Sequence, residues 1–539
     1  MREGARAHRG RRLAVVFVAA ACMLGVGVAV AFADGDPQPL DFTHNAFNAP
    51  APVAGAVFGT GPAVKTGSAI CTTATQLTAN ANTDCETTTF GPHNETSIAV
   101  NPTNAQNMIG GANDYQLGIN PGGHVTESVL SRAHVTFDGG QTWSEYPLYS
   151  NSAYQATGDP SVAFDAAGNA YYATLGFRFV GPANAQNPDV LVSHSSDSGK
   201  TWSVSRIAQG SGNEGSVGDL LDKEYVAAWG NGNAIVTFGD FRLGQKGGFI
   251  SARIYSSVTR DAGQTWSSPQ VISGSLDEAF VSTPTMASNG RVFVSFLNTG
   301  DLTTGRDTYE VVEVDPATGA RIAGPFDVGL VIDGSTDFPF AFGRTTYQDS
   351  VFRTWSAGNI AADPTNPAHL AVVWADMRNS TLPAPADPYA AVTNSDVVVS
   401  ESTDYGRTWS APTAVPLAGD QFMTWGAFDA SGTLRIGTFD RSDDPANHLY
   451  NYSLLTGPSY SRSVVSTVQS DPTTGDRWFA RTVNSAFPRA TAFLGDYSNI
   501  AVVPGTTHVV AYWTDMREQA CFPAGVCGSG EDAFFAYAS

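Results

Sequence analysis

The sequence predicts an all-β chain: one closed ring of four-stranded antiparallel blades, seven by count, sealed by a strand from the N-terminal segment. Three observations predict it. A short phrase recurs four times, pairs of apolar strands recur at a nearly constant interval, and the last unit stops one strand short. Composition agrees, because only 15% of the 539 residues are charged while 55 glycines and 30 prolines break the chain into turns.

The phrase is D-x-G-x-T-W. It stands at Asp138 to Trp143, Asp197 to Trp202, Asp261 to Trp266 and Asp404 to Trp409, each time after a β-rich run. An aspartate two residues before a glycine suits a tight turn in which the carboxylate accepts backbone N–H bonds and glycine takes a positive φ. Tryptophan then enters the next strand, where its ring is buried and its indole N–H finds a partner. Four copies in four different units cannot converge on one site, so these aspartates are hairpin tips rather than catalytic or metal-binding groups.

The strand pairs run from Ser97 to Asn113, Ser161 to Leu175, Tyr225 to Phe238, Thr283 to Phe296, Asn359 to Trp374, Gly426 to Thr438 and Asn499 to Trp513. Their starts are roughly 58 to 75 residues apart, which suits a four-stranded blade with its loops. The fourth and sixth units lack the phrase, but Val311 to Pro325 still reads strand, turn, strand. After Ala533 to Tyr537, a third strand, the last unit ends. Its fourth strand is expected from the N-terminal arm, within Pro39 to Ala46 or Ala51 to Phe58, which closes the ring and removes exposed sheet edges.

Three regions follow: residues 1–33 as an export leader, 34–92 as an arm with the closing strand, and 93–539 as the ring. The leader has Arg2, Arg6, Arg9, Arg11 and Arg12, then an apolar stretch ending in Ala31-Phe32-Ala33. Cleavage there gives a secreted protein, and retention of the stretch gives a cell-surface one. Taking five arginines and one glutamate from 29 basic and 50 acidic residues leaves 24 against 49, near −25. That balance excludes nucleic acid and anionic membranes as partners. Cys71 with Cys85 and Cys521 with Cys527 read as two short-loop disulfides of an exported chain. Neither pair has histidines at zinc-ligand spacing, and His93 and His134, isolated near strand ends, read as surface residues. Neither a metal nor a cofactor is expected.

In an up-and-down blade the turns between strands one and two and between three and four share a face. The D-x-G-x-T-W tips mark it. The opposite face receives the ends of second strands, at Asn113-Asp114-Tyr115, Asp240-Phe241-Arg242, Asp376-Met377-Arg378, Asp440-Arg441 and Asp515-Met516-Arg517. It also receives the starts of first strands, at His93-Asn94-Glu95, Gly158-Asp159, Asp222-Lys223-Glu224 and Asp496-Tyr497. Charge collects there.

The phrase and the blade rhythm over residues 93–539 resemble the Asp-box repeats of the sialidase-like β-propellers. That resemblance implies a monomeric, metal-independent glycosidase in which three arginines grip a substrate carboxylate, a glutamate activates a tyrosine nucleophile, and an aspartate acts as acid and base. Sialidases have six blades, against seven counted here. Their aromatic-Arg-Ile-Pro motif is replaced by Glu95-Thr96-Ser97-Ile98, so position in the blade, not motif, selects the site residues. The expectation is Arg242, Arg378 and Arg517 for carboxylate binding, Asp114 as acid and base, Tyr497 as nucleophile and Glu95 as its base. The structural alternative is that Asp-x-Arg, itself repeated, is scaffold. By that resemblance the expected function is a secreted sialidase-like hydrolase acting on terminal anionic sugars of glycoconjugates; the alternative is a non-catalytic extracellular propeller binding glycans or proteins. The first requires convergent arginines and a tyrosine bonded to a carboxylate. The second requires each arginine to be paired with an aspartate of its own blade.

Overall fold

The computed structural model describes residues 68–69, 71–74, 80–85, 91–119, 125–129, 131–148, 154, 156–178, 186–213, 217–245, 248–299, 307–332, 347, 350, 352, 354, 356–381, 393–472, 493–521 and 527–538. They form seven antiparallel blades of four strands, the first extended by Cys71–Ala74 at its outer edge. The first strands are His93–Val100, Ala156–Phe164, Gly218–Trp229, Ala279–Met286, Asn359–Ala362, Gln421–Phe428 and Asn499–Val502. Each adjoins the next and the seventh adjoins the first, so they form the inner wall of a closed ring.

Burial explains the closure. Seven apolar clusters lie between successive blades, one for each junction, including Ile109 with Trp202, Val236 with Phe177, and Trp143 with Tyr512 and Phe535 where the last blade meets the first. A blade covers neither of its faces alone, and stacking neighbours buries both.

The seventh blade takes its outer strand from the arm, as its missing fourth strand requires. The segment is Ala81–Asn82, which pairs with Asp532–Ala538. The stretches 39–46 and 51–58 lie outside the described residues, as does the leader. The bond between Cys71 and Cys85 brackets the closing strand. Cys521 faces Cys527 across a two-stranded ribbon.

The four recurring turns share one network. Asp138 accepts from the Thr142 amide (2.9 Å) and hydroxyl (2.7 Å), while the Thr136 hydroxyl donates to Asp138 and accepts from the Gly140 amide. Asp197, Asp261 and Asp404 repeat it. At Asp404 the Thr408 hydroxyl and amide hold the carboxyl down at about 2. Bonds from Gly139 to Gln106 O, Ala262 to Gly232 O and Tyr405 to Ala368 O tie these tips to the turns between strands one and two, on a common face. The acidic and arginine-bearing strand ends lie at the other.

Candidate functional site

At the charged face the described arginines do not form one pocket. Arg378 closes on Asp376, with Nε to Oδ1 at 2.8 Å and Nη2 to Oδ2 at 2.6 Å, and also donates to Leu330 O and Pro412 O. Arg517 repeats this on Asp515 (2.8 and 2.6 Å) and donates to Thr467 Oγ1 and Asn80 Oδ1. In both, a tryptophan two residues before the aspartate donates its indole N–H to the same carboxylate at 2.8 Å. Leu330, Pro412, Thr467 and Asn80 lie on or beside outer strands. W-x-D-M-R is therefore a repeated staple between neighbouring blades at the rim. Arg242 pairs with Asp219 at 3.3 Å and is 62% exposed in its side chain. Arg178 pairs with Asp189, and the buried Arg441 with Asp420. Arg242, Arg378 and Arg517 share no partner.

The axis is where charges from different blades meet. Lys223 Nζ lies 2.7 Å from Asp159 Oδ2, 2.7 Å from Asp496 Oδ2 and 3.3 Å from Glu95 Oε1, bringing together blades three, two, seven and one. Asn113 joins the group, donating to Glu95 and accepting from the Asp159 amide. The backbone explains the convergence. Glu95, Asp159, Lys223, Val281 and Met423 have φ of 54°, 57°, 53°, 46° and 50°, and each sits in a register shift of its first strand. A bulge turns one side chain out of the ordinary alternation. Left-handed non-glycine residues cost about 1–3 kcal/mol each and persist only where the surroundings enforce them.

Electrostatics inside the cluster follow from burial and neighbours. Burial alone pushes the Lys223 pKa down, but Asp159, Asp496, Glu95 and Asp222 overcome it and hold the ammonium charged. Asp159 is pushed up to about 6 by burial, against the pull of Lys223 and with the help of Asp222. Burial and then the Asp159 charge raise Glu224 well above the carboxylate range, and no well-formed hydrogen bond reaches either of its carboxyl oxygens. The cluster is closed to solvent: Glu95, Asp159, Lys223 and Glu224 are each at most 2% exposed. Beside it Tyr225 packs on Trp425 (5.7 Å) and Tyr497 (5.3 Å), filling the axis with rings from three blades.

Of the expected catalytic residues, Glu95 and Tyr497 reach this cluster and Asp114 does not. The Tyr497 hydroxyl donates to the Pro160 carbonyl at 2.9 Å, not to a carboxylate as expected, and burial followed by the charges of Glu95 and Asp159 raises its pKa. Asp114 lies in the first blade, with Oδ1 3.3 Å from His93 Nε2 and Oδ2 3.4 Å from Arg132 Nε. Burial raises its pKa, and His93 and Arg132 more than reverse that. His93 and His134 are not surface residues: they are 3% and 0% exposed, with ring centroids 5.9 Å apart. Both lie at the junction of blades one and seven, His93 beside Asp84 and His134 against Thr83 and Tyr512. Sequence reasoning missed Lys223, Asp159 and Asp496 as a group. The one available signal was that Lys223 is the sole lysine at a first-strand start, between two acids.

No protein-family model matches the sequence, and no curated protein matches it. Solved structures do align. A protein of unknown function from Dyadobacter fermentans aligns at 10% identity over 88% of this chain and 99% of its own, with a TM-score of 0.40. The NanB sialidase of Streptococcus pneumoniae aligns at 9% over 88% and 99%, with a TM-score of 0.40. A Penicillium chrysogenum α-L-arabinanase aligns at 14% over 69% and 94%, with a TM-score of 0.36. At such values the likeness carries no argument about activity.

Proposed function

We propose that this chain is an extracellular propeller that binds glycoconjugates without hydrolysing them. The carrying observation is that five described arginines at the charged face, Arg178, Arg242, Arg378, Arg441 and Arg517, are each paired with an aspartate of their own blade. Sialidase-type chemistry needs guanidinium forks free to grip one carboxylate, and a phenol whose proton a carboxylate can take. Here the described forks are engaged within the scaffold, the Tyr497 phenol is held by a backbone carbonyl, and rings from three blades pack together at the axis. The leader-like N terminus and the Cys71–Cys85 bond support an extracellular site of action.

One observation favours a second reading, the sialidase-like hydrolase. Carboxyls whose environments push their pKa values apart are the raw material of acid and base pairs, and Asp159 and Glu224 are raised beside a charged lysine and further carboxylates. Equilibrium binding to a panel of immobilised glycoconjugates separates the two. Binding that persists without release of any sugar supports the first reading. Catalytic release that is lost in Asp159→Asn supports the second.

A further inference from the structure

We infer that His93, Asp114 and His134 form a binding site for one zinc-class divalent cation, placed where the arm closes the ring between the last blade and the first. The three residues come from the first, second and third strands of the first blade. Each offers a ligand atom, and these atoms lie within 4.8 Å of one another. His93 Nε2 and Asp114 Oδ1 are 3.3 Å apart, the edge of a tetrahedron whose metal bonds are about 2.0–2.1 Å. Two imidazoles and one carboxylate form a donor set for zinc and its first-row neighbours rather than for calcium or magnesium.

Both histidines are buried, and among the described residues His93 Nε2 meets only the Asp114 carboxylate, at 3.3 Å. No well-formed hydrogen bond reaches His93 Nε2 or His134 Nε2, and buried polar atoms are seldom left so. The other nitrogen of His134 has a partner, while His93 Nδ1 has no well-formed hydrogen bond and faces a carboxylate at longer range. His134 Nδ1 is 3.1 Å from Thr83 Oγ1, and that hydroxyl donates its proton to Ala533 O at 3.1 Å. Thr83 Oγ1 also lies 2.8 Å from the Tyr512 hydroxyl; with the Thr83 proton directed to Ala533 O, it accepts from the Nδ1–H tautomer of His134, which keeps a lone pair on Nε2. Asp84 Oδ2 stands 3.8 Å from His93 Nδ1, an ion-pair distance that puts a carboxylate behind the second ring. An outer partner on each ligand histidine is the usual support of a metal site. Thr83 and Asp84 directly follow the closing strand Ala81–Asn82, so an ion here would couple the arm to the first blade. Arg132, 3.4 Å from Asp114 Oδ2, opposes a second positive charge, but its Nη1 is engaged by Glu145 at 2.9 Å.

The test uses the full chain purified without a histidine tag and stripped by chelator dialysis. It is titrated with Co²⁺, read by visible d–d absorption, and then with Zn²⁺ against a chromophoric chelator. One equivalent is expected to bind at micromolar concentration or tighter, raising the thermal midpoint. His134→Ala should weaken binding at least about 100-fold, and Thr83→Val, which keeps all three ligands, about 10–100-fold. Failure of the wild type to bind either ion at about 10 µM would overturn the site, since a built zinc site binds far more tightly. So would unchanged affinity in both variants. If His134→Ala does not fold, the wild-type titration and Thr83→Val decide.

Discussion

Replacing Lys223 with methionine removes the only cation within contact of Asp159, Asp496 and Glu95 among the described residues. At an effective dielectric constant of about 20, contacts of 2.7, 2.7 and 3.3 Å are worth about 5–6 kcal/mol each before desolvation. Desolvation cancels much of that, and breaking a buried pair by deleting one partner costs about 3–5 kcal/mol. The same figure emerges from the cheapest relief. Without the ammonium one carboxyl must take a proton, at about 1.4 kcal/mol for each pH unit above its ordinary pKa, or about 4 kcal/mol near pH 7. The folded-state carboxyl pKa is then raised above the unfolded one, so stability returns as pH falls. Lys223→Met should therefore lose about 4 kcal/mol near pH 7 and less than about 2 kcal/mol near pH 5, measured by urea denaturation of both proteins at each pH. A loss below about 1 kcal/mol at neutral pH, or an equal loss at both, would refute the account of the axis.

Other predictions concern separate parts of the ring. Arg378→Ala, by cutting the staple to Asp376, Leu330 O and Pro412 O, should cost about 1–3 kcal/mol in denaturant melts while glycoconjugate binding is retained. Gly140→Ala places a methyl 2.5 Å from Phe535 Cε1 at φ +92° and should destabilise by at least about 1–3 kcal/mol. Gly505→Ala, with φ +73° and open space around it, should lose only the backbone part, so equal midpoints for the two would contradict the packing argument. Glu224 has a folded pKa above its unfolded one, so its contribution is full below the unfolded pKa and lost as pH rises through the folded one. Glu224→Gln should flatten that decline and exceed wild type in stability at alkaline pH, as read from urea midpoints across pH. Cys71→Ser opens the loop that brackets the closing strand and should lower stability by about 3 kcal/mol in chemical melts.

The fold was legible because its signal is repetitive. The hydroxyl, aspartate, glycine and threonine of each turn are local in sequence, and their bonds span four residues or fewer, so spacing alone specifies them. The need for a borrowed strand was also visible, from counting strands in the last unit. Its location was not, because Ala81–Asn82 is two residues long and has no apolar alternation to announce it. What identifies it is pairing with Asp532–Ala538, some 450 residues away in the chain. The rim staples were half legible, since repetition of Asp-x-Arg pointed to scaffold while the family resemblance pointed to a pocket. The axial cluster depends on bulges that turn Glu95, Asp159 and Lys223 inward together, and a one-residue change of register has no sequence signature. For the same reason His93 and His134 looked isolated, although pairing of three adjacent strands places them face to edge.

The central claim is that the described arginines of the charged face are committed to the scaffold. Turnover of a fluorogenic sialoside by the purified full chain, followed from acidic to neutral pH, tests it most directly. The account predicts no release above the uncatalysed rate. Release that disappears in Arg378→Ala or Arg517→Ala, with folding intact, would contradict it.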